Sequence, residues 1–304
     1  MFPASRSRRL RRTEGLRRLA RETTLSPKDL VLPVFVVEGA NRREAVAALP
    51  GVERMSCDLL AARAAALKVG ALLIFGVPEA GDKDADGRVA ADPEGLVPRA
   101  VRAVKQAAPH LPVITDVCLC AWTRHGHCGL LDGAGAVAND PTLKALGAMA
   151  AAHAAAGADV VAPSAMMDGQ VAAVRGALDQ AGFAETAVLA YAAKFASVFY
   201  GPFRDAAHSA PQSGDRQAYQ LDPANGRAAL RDALLDEAEG ADWLMVKPAL
   251  PCLDILARLR EATRLPLMAY QVSGEYAMLK RAAQAGAFAE RPAVLEAVTA
   301  IKRA

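Results

Sequence analysis

The stretch DVCLCAWTRHGHCG, residues 116–129, gathers three of the chain's five cysteines and two of its five histidines. If the strand leading into it continues through residue 120, alternation puts Asp116, Cys118 and Cys120 on one face. A turn over Thr123 to Gly126 then returns Cys128 to the same place. Three thiolates with a fourth position open to water or substrate are the donor set of a catalytic zinc, whereas structural zinc sites close with four ligands. His125 and His127 are near enough to serve as a fourth ligand or to support the ligands from behind. The plain alternative is a buried strand with incidental cysteines. A CxxC pair is missing from the stretch, which argues against thiol exchange.

Two lysines each end an apolar run, Lys194 in TAVLAYAAKF and Lys247 in DWLMVKPA. Either one alone reads as a surface lysine whose stem lies along apolar neighbours. At the ends of adjacent strands facing one mouth, however, burial and mutual repulsion would push both amines towards neutrality, and a neutral amine attacks ketones to form a Schiff base. Arg204 and Arg216, with Gln220 close behind, follow Lys194 in the chain, and arginine grips carboxylates through two parallel hydrogen bonds. A carboxylated ketone is therefore the natural ligand. Ser273, at the end of the last apolar run, is a candidate for a second carboxylate, although serine before glycine is also ordinary turn chemistry. Asp116, on the face of the cysteines, is a further candidate for substrate contact.

These residues need a scaffold that brings several strand ends together. Seven apolar segments begin at Leu30, Ala71, Leu111, Asp159, Thr186, Asp242 and Leu265, and Ala-rich helical stretches separate them. In DPTLKALGAMAAAHAAAGA, for example, Asp140 is placed to cap, Pro141 to open the first turn and Gly157 to end the helix. Strand and helix in alternation predict a parallel sheet, buried on both faces. The chain has no GxGxxG loop of the kind a doubly wound dinucleotide fold needs. Chemistry at the C-terminal ends of several strands instead predicts a TIM-type eight-stranded α/β barrel. Seven strands are counted, so the expectation is a barrel over residues 26–304 whose eighth strand is missing, preceded by a basic arm over residues 1–25.

The formal charge of +3 conceals an asymmetry. The first 21 residues carry eight arginines against Glu14, a net +7, which leaves −4 for the remainder. A body without basic excess does not continue a phosphate-binding surface, so a nucleic-acid partner is not expected. No apolar run long enough to span a membrane and no signal-peptide pattern is seen, so the expected compartment is the cytoplasm, where free or metal-bound thiols persist.

The blocks LVLPVFVVEG, DVCLCAWTRHGHCG, VAPSAMMDGQV, YAAKFASVFYGPFRDAA, GDRQAYQLDPAN, EGADWLMVKPA and AYQVSGEYAMLKRAAQAGA, in this order over essentially the whole chain, resemble the porphobilinogen synthase (5-aminolevulinate dehydratase) family. The resemblance implies condensation of two 5-aminolevulinate molecules with loss of two waters, in tetrapyrrole and heme biosynthesis. It implies that Lys194 and Lys247 each hold one substrate as a Schiff base. Ser273 would meet the carboxylate of the Lys247 substrate, and Arg204, Arg216 and Gln220 that of the other. Retention of Cys118, Cys120 and Cys128 marks a zinc-type member.

Several positions depart from the family pattern. Ala121 and Trp122 replace an acidic–tyrosine pair, Cys252 stands where tyrosine is usual, and Asp232 stands where many members use a glutamate towards an allosteric magnesium. A terminal strand bearing a tyrosine is not reached. The arm would embrace another subunit in a homo-octamer or a smaller homo-oligomer. The competing readings are a class I lysine aldolase, which needs one lysine and no zinc, and an inactive truncated barrel serving as a zinc-binding or assembly partner.

Overall fold

A computed structural model describes residues 5–304. Nine strands form one sheet: β1 (Val31–Val37), β2 (Arg43–Ala45), β3 (Glu53–Ser56), β4 (Ala71–Val77), β5 (Val113–Val117), β6 (Val160–Pro163), β7 (Ala187–Lys194), β8 (Trp243–Lys247) and β9 (Leu267–Ala269). Their spatial order is β2-β3-β1-β4-β5-β6-β7-β8-β9, and every pairing is parallel except that of β2 with β3.

The seven expected strands are all present as β1 and β4 to β9. The count of seven is nevertheless corrected to nine, so the expectation of an eight-strand barrel short of one strand is not what the sheet displays. The extra pair, REA and ERMS, is short and charged, and carries none of the apolar runs by which the others announce themselves. Strand ends are also shorter than the runs suggest. β5 stops at Val117, before the cysteines, and β9 stops at Ala269, so Ser273 opens the following helix, Ser273–Gln284, and does not end a strand. Asp140 likewise lies inside the first turn of the helix Asn139–Ala155, while Gly157, at φ +98°, closes it as expected.

Alternation along the strands sorts side chains into two layers. Val36, Leu72, Val113, Val161, Ala190 and Val246 face the surrounding helices. Phe35, Leu73, Ile114, Ala162, Leu189 and Met245, from six different strands, share one interior. A common interior drawn from so many strands means that the sheet curls as in a TIM-like barrel. Among the described residues β9 pairs only with β8. A groove of about 1330 Å3 separates it from β1, lined by Val31, Pro33, Met268 and Val298. Residues 5–33 contribute no buried side chain, which fits an arm lying outside the core.

The register of β7 against β8 contains an irregularity. Ala190 lies opposite Leu244 and Ala193 opposite Val246, so two residues of β7, Tyr191 and Ala192, stand against the single Met245. This is a β-bulge with one extra residue. Ala192 and Ala193 both belong to the helix-facing layer, and Lys194 then lies directly opposite Lys247.

Gly76 in β4 makes room for the segment after β5. A Cβ there would lie 2.6 Å from Cζ2 of Trp122 and 2.8 Å from Cγ2 of Val97. The indole of Trp122, two residues beyond Cys120, thus seats on bare backbone. Replacing Gly76 by Ala should overpack this contact and destabilise the fold by about 1–3 kcal/mol, measurable by urea unfolding. Unchanged stability would mean that the indole moves freely.

Candidate active site

The three thiols come together through a turn and not through strand alternation. After β5 the chain bends, with the amides of Trp122 and Thr123 donating to the Leu119 carbonyl at 2.9 and 3.0 Å. Gly126, at φ +71°, then turns the chain back; a Cβ on it would strike the Ala210 carbonyl oxygen at 2.3 Å. The Sγ atoms of Cys118, Cys120 and Cys128 end within 4.8 Å of one another, all buried. Tetrahedral zinc with Zn–S bonds of about 2.3 Å spaces its thiolates by about 3.8 Å, so the cluster fits a three-sulfur site. Hydrogen bonds from Cys118 and then Cys120, assisted by the charges of Arg216 and Lys194, hold the Cys128 thiol well below its ordinary range despite burial. Cys118 is held correspondingly high by its bonds to Cys120 and Cys128 and by burial.

The histidines stand outside this cluster. His127 bonds to the Tyr219 hydroxyl through Nδ1 (3.1 Å) and to the Ser213 carbonyl through Nε2 (3.0 Å). His125 Nε2 reaches the Ala85 carbonyl at 3.1 Å, and its Nδ1 accepts from the His127 amide. Both therefore brace the turn. The backbone amide of Cys128 also donates to the Tyr219 hydroxyl.

Lys194 and Lys247 end neighbouring strands in register and are both buried. Lys194 Nζ donates to the Ser164 carbonyl at 2.6 Å, and the Ser164 hydroxyl donates to Asp116 Oδ1 at 2.7 Å. Lys247 Nζ stands among four rings, 4.4 Å from the centroid of Tyr270 and 5.1–5.2 Å from those of Tyr200, Tyr191 and Phe203. Burial, and after it the charge of Lys194, brings the Lys247 amine down to about 7, against the pull of Asp116 and the thiols. Burial also lifts the Asp116 carboxyl to about 6, opposed by Ser164 and the two ammonium groups. Glu275 is buried too, and its carboxylate accepts from the amides of Ala249, Leu250 and Val272, tying the loop after Lys247 to the start of the Ser273 helix.

Between Ala196 and Gln220 the chain makes an excursion over the site. Its neck is closed by the Ala196 amide on the Leu221 carbonyl (2.8 Å) and the Leu221 amide on the Lys194 carbonyl (3.1 Å). The excursion carries Tyr200, Phe203, Arg204, Arg216, Tyr219 and Gln220. Arg216 is buried beside the thiols and donates through Nη2 to the carbonyls of Gly126 (2.9 Å) and Ser209 (2.5 Å). Burial alone would lower its pKa, but the negative charge of the three thiol groups raises it. The Nε atoms of Arg204 and Arg216 and both amide heteroatoms of Gln220 are buried without protein partners. Unpaired buried donors of this kind are costly unless a ligand satisfies them. The Ser273 hydroxyl instead meets the excursion itself, donating to the Phe199 carbonyl and accepting from the Phe203 amide, each at 3.0 Å.

Asp232 is not brought to this site. It is half-exposed on the helix Gly226–Ala238 and paired with Arg231 at 3.0 Å. Among the described residues the three cysteines are the only converging group of potential metal ligands. Tyr191, Tyr219, Tyr270 and Glu275 also line or brace the site, and none of them is expected there from the sequence pattern. A tyrosine within an apolar strand, as in VLAYAAK, is the one signal that pointed towards such a ring.

The family described as Delta-aminolevulinic acid dehydratase matches residues 4–304. The chain belongs to that family. Among similar relatives, the Delta-aminolevulinic acid dehydratase of Escherichia coli (strain K12) is 53% identical over 98% of this chain and 92% of its own length. That of Synechococcus elongatus is 51% identical over 100% and 94%. The crystal structure of the Toxoplasma gondii ME49 enzyme in complex with the reaction product porphobilinogen superposes with a TM-score of 0.95 at 43% identity, over 98% of this chain and 86% of that one. The chain is thus a lyase that catalyses the family's porphobilinogen synthase reaction, condensing two 5-aminolevulinate molecules to porphobilinogen with loss of two waters. Neither the aldolase nor the inactive-barrel reading is favoured by these relatives.

A lysine whose folded pKa is lowered from 10.5 to about 7 is neutral across a window in which the unfolded chain is still charged. The folded state then gains stability from about pH 7 towards 10.5 and loses that gain below. The nucleophilic fraction rises through the same lower limit. Labelling of Lys247 by a ketone probe with borohydride, read by peptide mass, should therefore have its midpoint near pH 7; a midpoint near 10 would show a solvated amine.

Proposed function

We propose that both lysines bind substrate covalently and that the thiol cluster holds a catalytic zinc. The observation that carries this reading is the side-by-side register of Lys194 and Lys247 in one buried cleft, facing three converging thiols and buried arginine and glutamine groups that lack protein partners. Lys247, poised near neutrality, adds through its free amine to the ketone of one 5-aminolevulinate, and Lys194 takes the other. The rings around Lys247 keep bulk water from its carbinolamine, which releases one water as it collapses to the imine. Ser273 meets the carboxylate of the Lys247 substrate by turning its hydroxyl proton away from Phe199. Arg204, Arg216 and Gln220 receive the carboxylate of the second substrate, which satisfies their unpaired buried atoms. Asp116, through Ser164, fixes the carbonyl on which the Lys194 amine rests.

Cys118, Cys120 and Cys128 would hold zinc, which supplies Lewis acidity towards a substrate carbonyl. His125, His127 and Tyr219 hold the ligand turn in place. A magnesium at Asp232 would have to displace Arg231 from its exposed pair with that carboxylate. Residues 1–25 act as an arm on a second copy of the chain. The short helix Glu14–Leu19 buries nothing of its own and leaves Leu19 85% exposed, available to another subunit's surface. No helix of the described residues is long and apolar enough to cross a membrane.

Lys247→Ala should abolish both turnover and borohydride trapping of substrate, whereas Lys194→Ala should lose turnover while still trapping at Lys247. Trapping by Lys247→Ala at the parent level would refute the assignment. Cys120→Ala should lose its bound zinc, measured by atomic absorption, with an unchanged circular dichroism spectrum. A melted fold in that variant would instead indicate a structural metal.

A further inference from the structure

The strand pair that the sequence reading missed has a place in the site's architecture. β3 runs beside β1 on the edge opposite β4, and its Arg54 reaches across to the excursion over the cleft. Arg54 Nε donates to the Ala206 carbonyl at 2.6 Å, and Nη2 donates to the Asp205 carbonyl at 2.7 Å. The same Nη2 lies 2.9 Å from His208 Nε2, which accepts in the neutral ring. Asp205 and Ala206 end the helix Gly201–Ala206, so the guanidinium caps that helix at its carbonyl end, where a cation is favoured. The Arg54 side chain is only 11% exposed and is backed by Glu44 of β2 at 3.4 Å.

A second cation grips the same corner. Lys83 Nζ donates to the His208 carbonyl at 2.6 Å. The Lys83 carbonyl in turn accepts from Arg124 Nε at 2.7 Å, in the turn that carries the cysteines. His208 itself adopts φ +47°, a left-handed conformation that is uncommon for a non-glycine residue and needs support from outside. The two tethers converge between Arg204 and Arg216. Apart from its neck at Lys194 and Leu221, the excursion is also held by Ser273, by the Tyr200 hydroxyl on the Lys247 carbonyl, by Arg216 on the Gly126 carbonyl and, on the cysteine turn, by the Gln212 amide on the His125 carbonyl (3.0 Å) and by Tyr219 and the Ser213 carbonyl on His127.

We propose that Arg54 is a positioning residue that clamps the excursion over the cleft, with Lys83 as an auxiliary tether. The β2–β3 pair is the rigid base from which Arg54 acts. It touches neither substrate nor metal. Its effect on the reaction is to raise the fraction of molecules in which Arg204 and Arg216 face the cleft, and this part rests on the binding roles proposed above for those two residues. A ligand that binds only the closed form has an apparent affinity reduced by the fraction of molecules that are open. Chemistry within the closed complex is left intact, so the clamp acts on KM and not on kcat.

The test uses the full-length, zinc-loaded enzyme carrying Arg54→Met, with Arg54→Lys as the conservative control. The Met variant should raise KM for 5-aminolevulinate by about tenfold at nearly unchanged kcat, as expected for loss of charge-assisted hydrogen bonds. Trypsin should also cut it faster at Arg204 and Arg216 at an unchanged melting temperature, and the Lys variant should fall between Met and the parent. Parent-like KM and parent-like cleavage in Arg54→Met would overturn the proposal. Faster cleavage with an unchanged KM would uphold the clamp and count instead against the substrate roles of Arg204 and Arg216. Should Arg54→Met melt early as a whole, Lys83→Met decides, since it releases the same corner without disturbing the sheet. Smaller changes of the same sign there support the clamp, and none overturns it.

Discussion

The organisation of the site depends on the pairing of β7 with β8. Parallel pairing places Lys194 opposite Lys247, and the barrel-like interior removes both from water. Two amines so placed cannot both keep a full charge at low cost, because desolvation and repulsion act in the same direction. Every neighbour answers to that constraint. Lys194 is given the Ser164 carbonyl, Lys247 is given aromatic rings, and Asp116 and the thiols supply opposing charge at a distance. The pair is thereby divided into unlike members, although the two side chains are chemically identical.

The excursion over the cleft and the cysteine turn behave as one construction. Arg216 bonds to the Gly126 carbonyl from above, Tyr219 bonds to His127 and Cys128, and the Ala210 carbonyl lies so close to Gly126 that no side chain fits between. Displacing either segment displaces the other. The groups that would grip a substrate carboxylate and the groups that would grip a metal therefore share a scaffold, and substrate binding and ligand geometry are mechanically linked.

Much of this was legible in the sequence, and for identifiable reasons. β1 and β4 to β8 were visible because strands buried on both faces are continuously apolar, and β9 because it lies within an apolar run. The thiols and lysines were visible because such residues are conspicuous at the ends of apolar runs. What escaped notice depends on tertiary context. β2 and β3 are charged because one side of that pair carries Arg54 and Glu44, so they lack the hydrophobic pattern. The cysteines converge through a turn after Val117, which alternation along a longer strand imitated. Ser273 read as a strand end because AYQV is apolar, yet the chain leaves the sheet at Ala269. The tyrosine cage and the three amide bonds of Glu275 depend on partners up to 26 residues away, which no local pattern reports.

The extra residue in β7 decides which side of the wall the Lys194 amine occupies. Leu189 and Tyr191 point to the interior, so unbroken alternation would send residue 194 outward among the helices with Val188 and Ala190. Two consecutive helix-facing alanines, Ala192 and Ala193, reverse the parity and return the lysine to the cavity. The side of the wall on which the amine emerges thus depends on the bulge. A strand straightened at its present length would hand the amine to the wrong compartment of the protein, whereas loss of one of the two alanines would remove the extra residue together with the bulge and leave the lysine facing the cavity opposite Lys247.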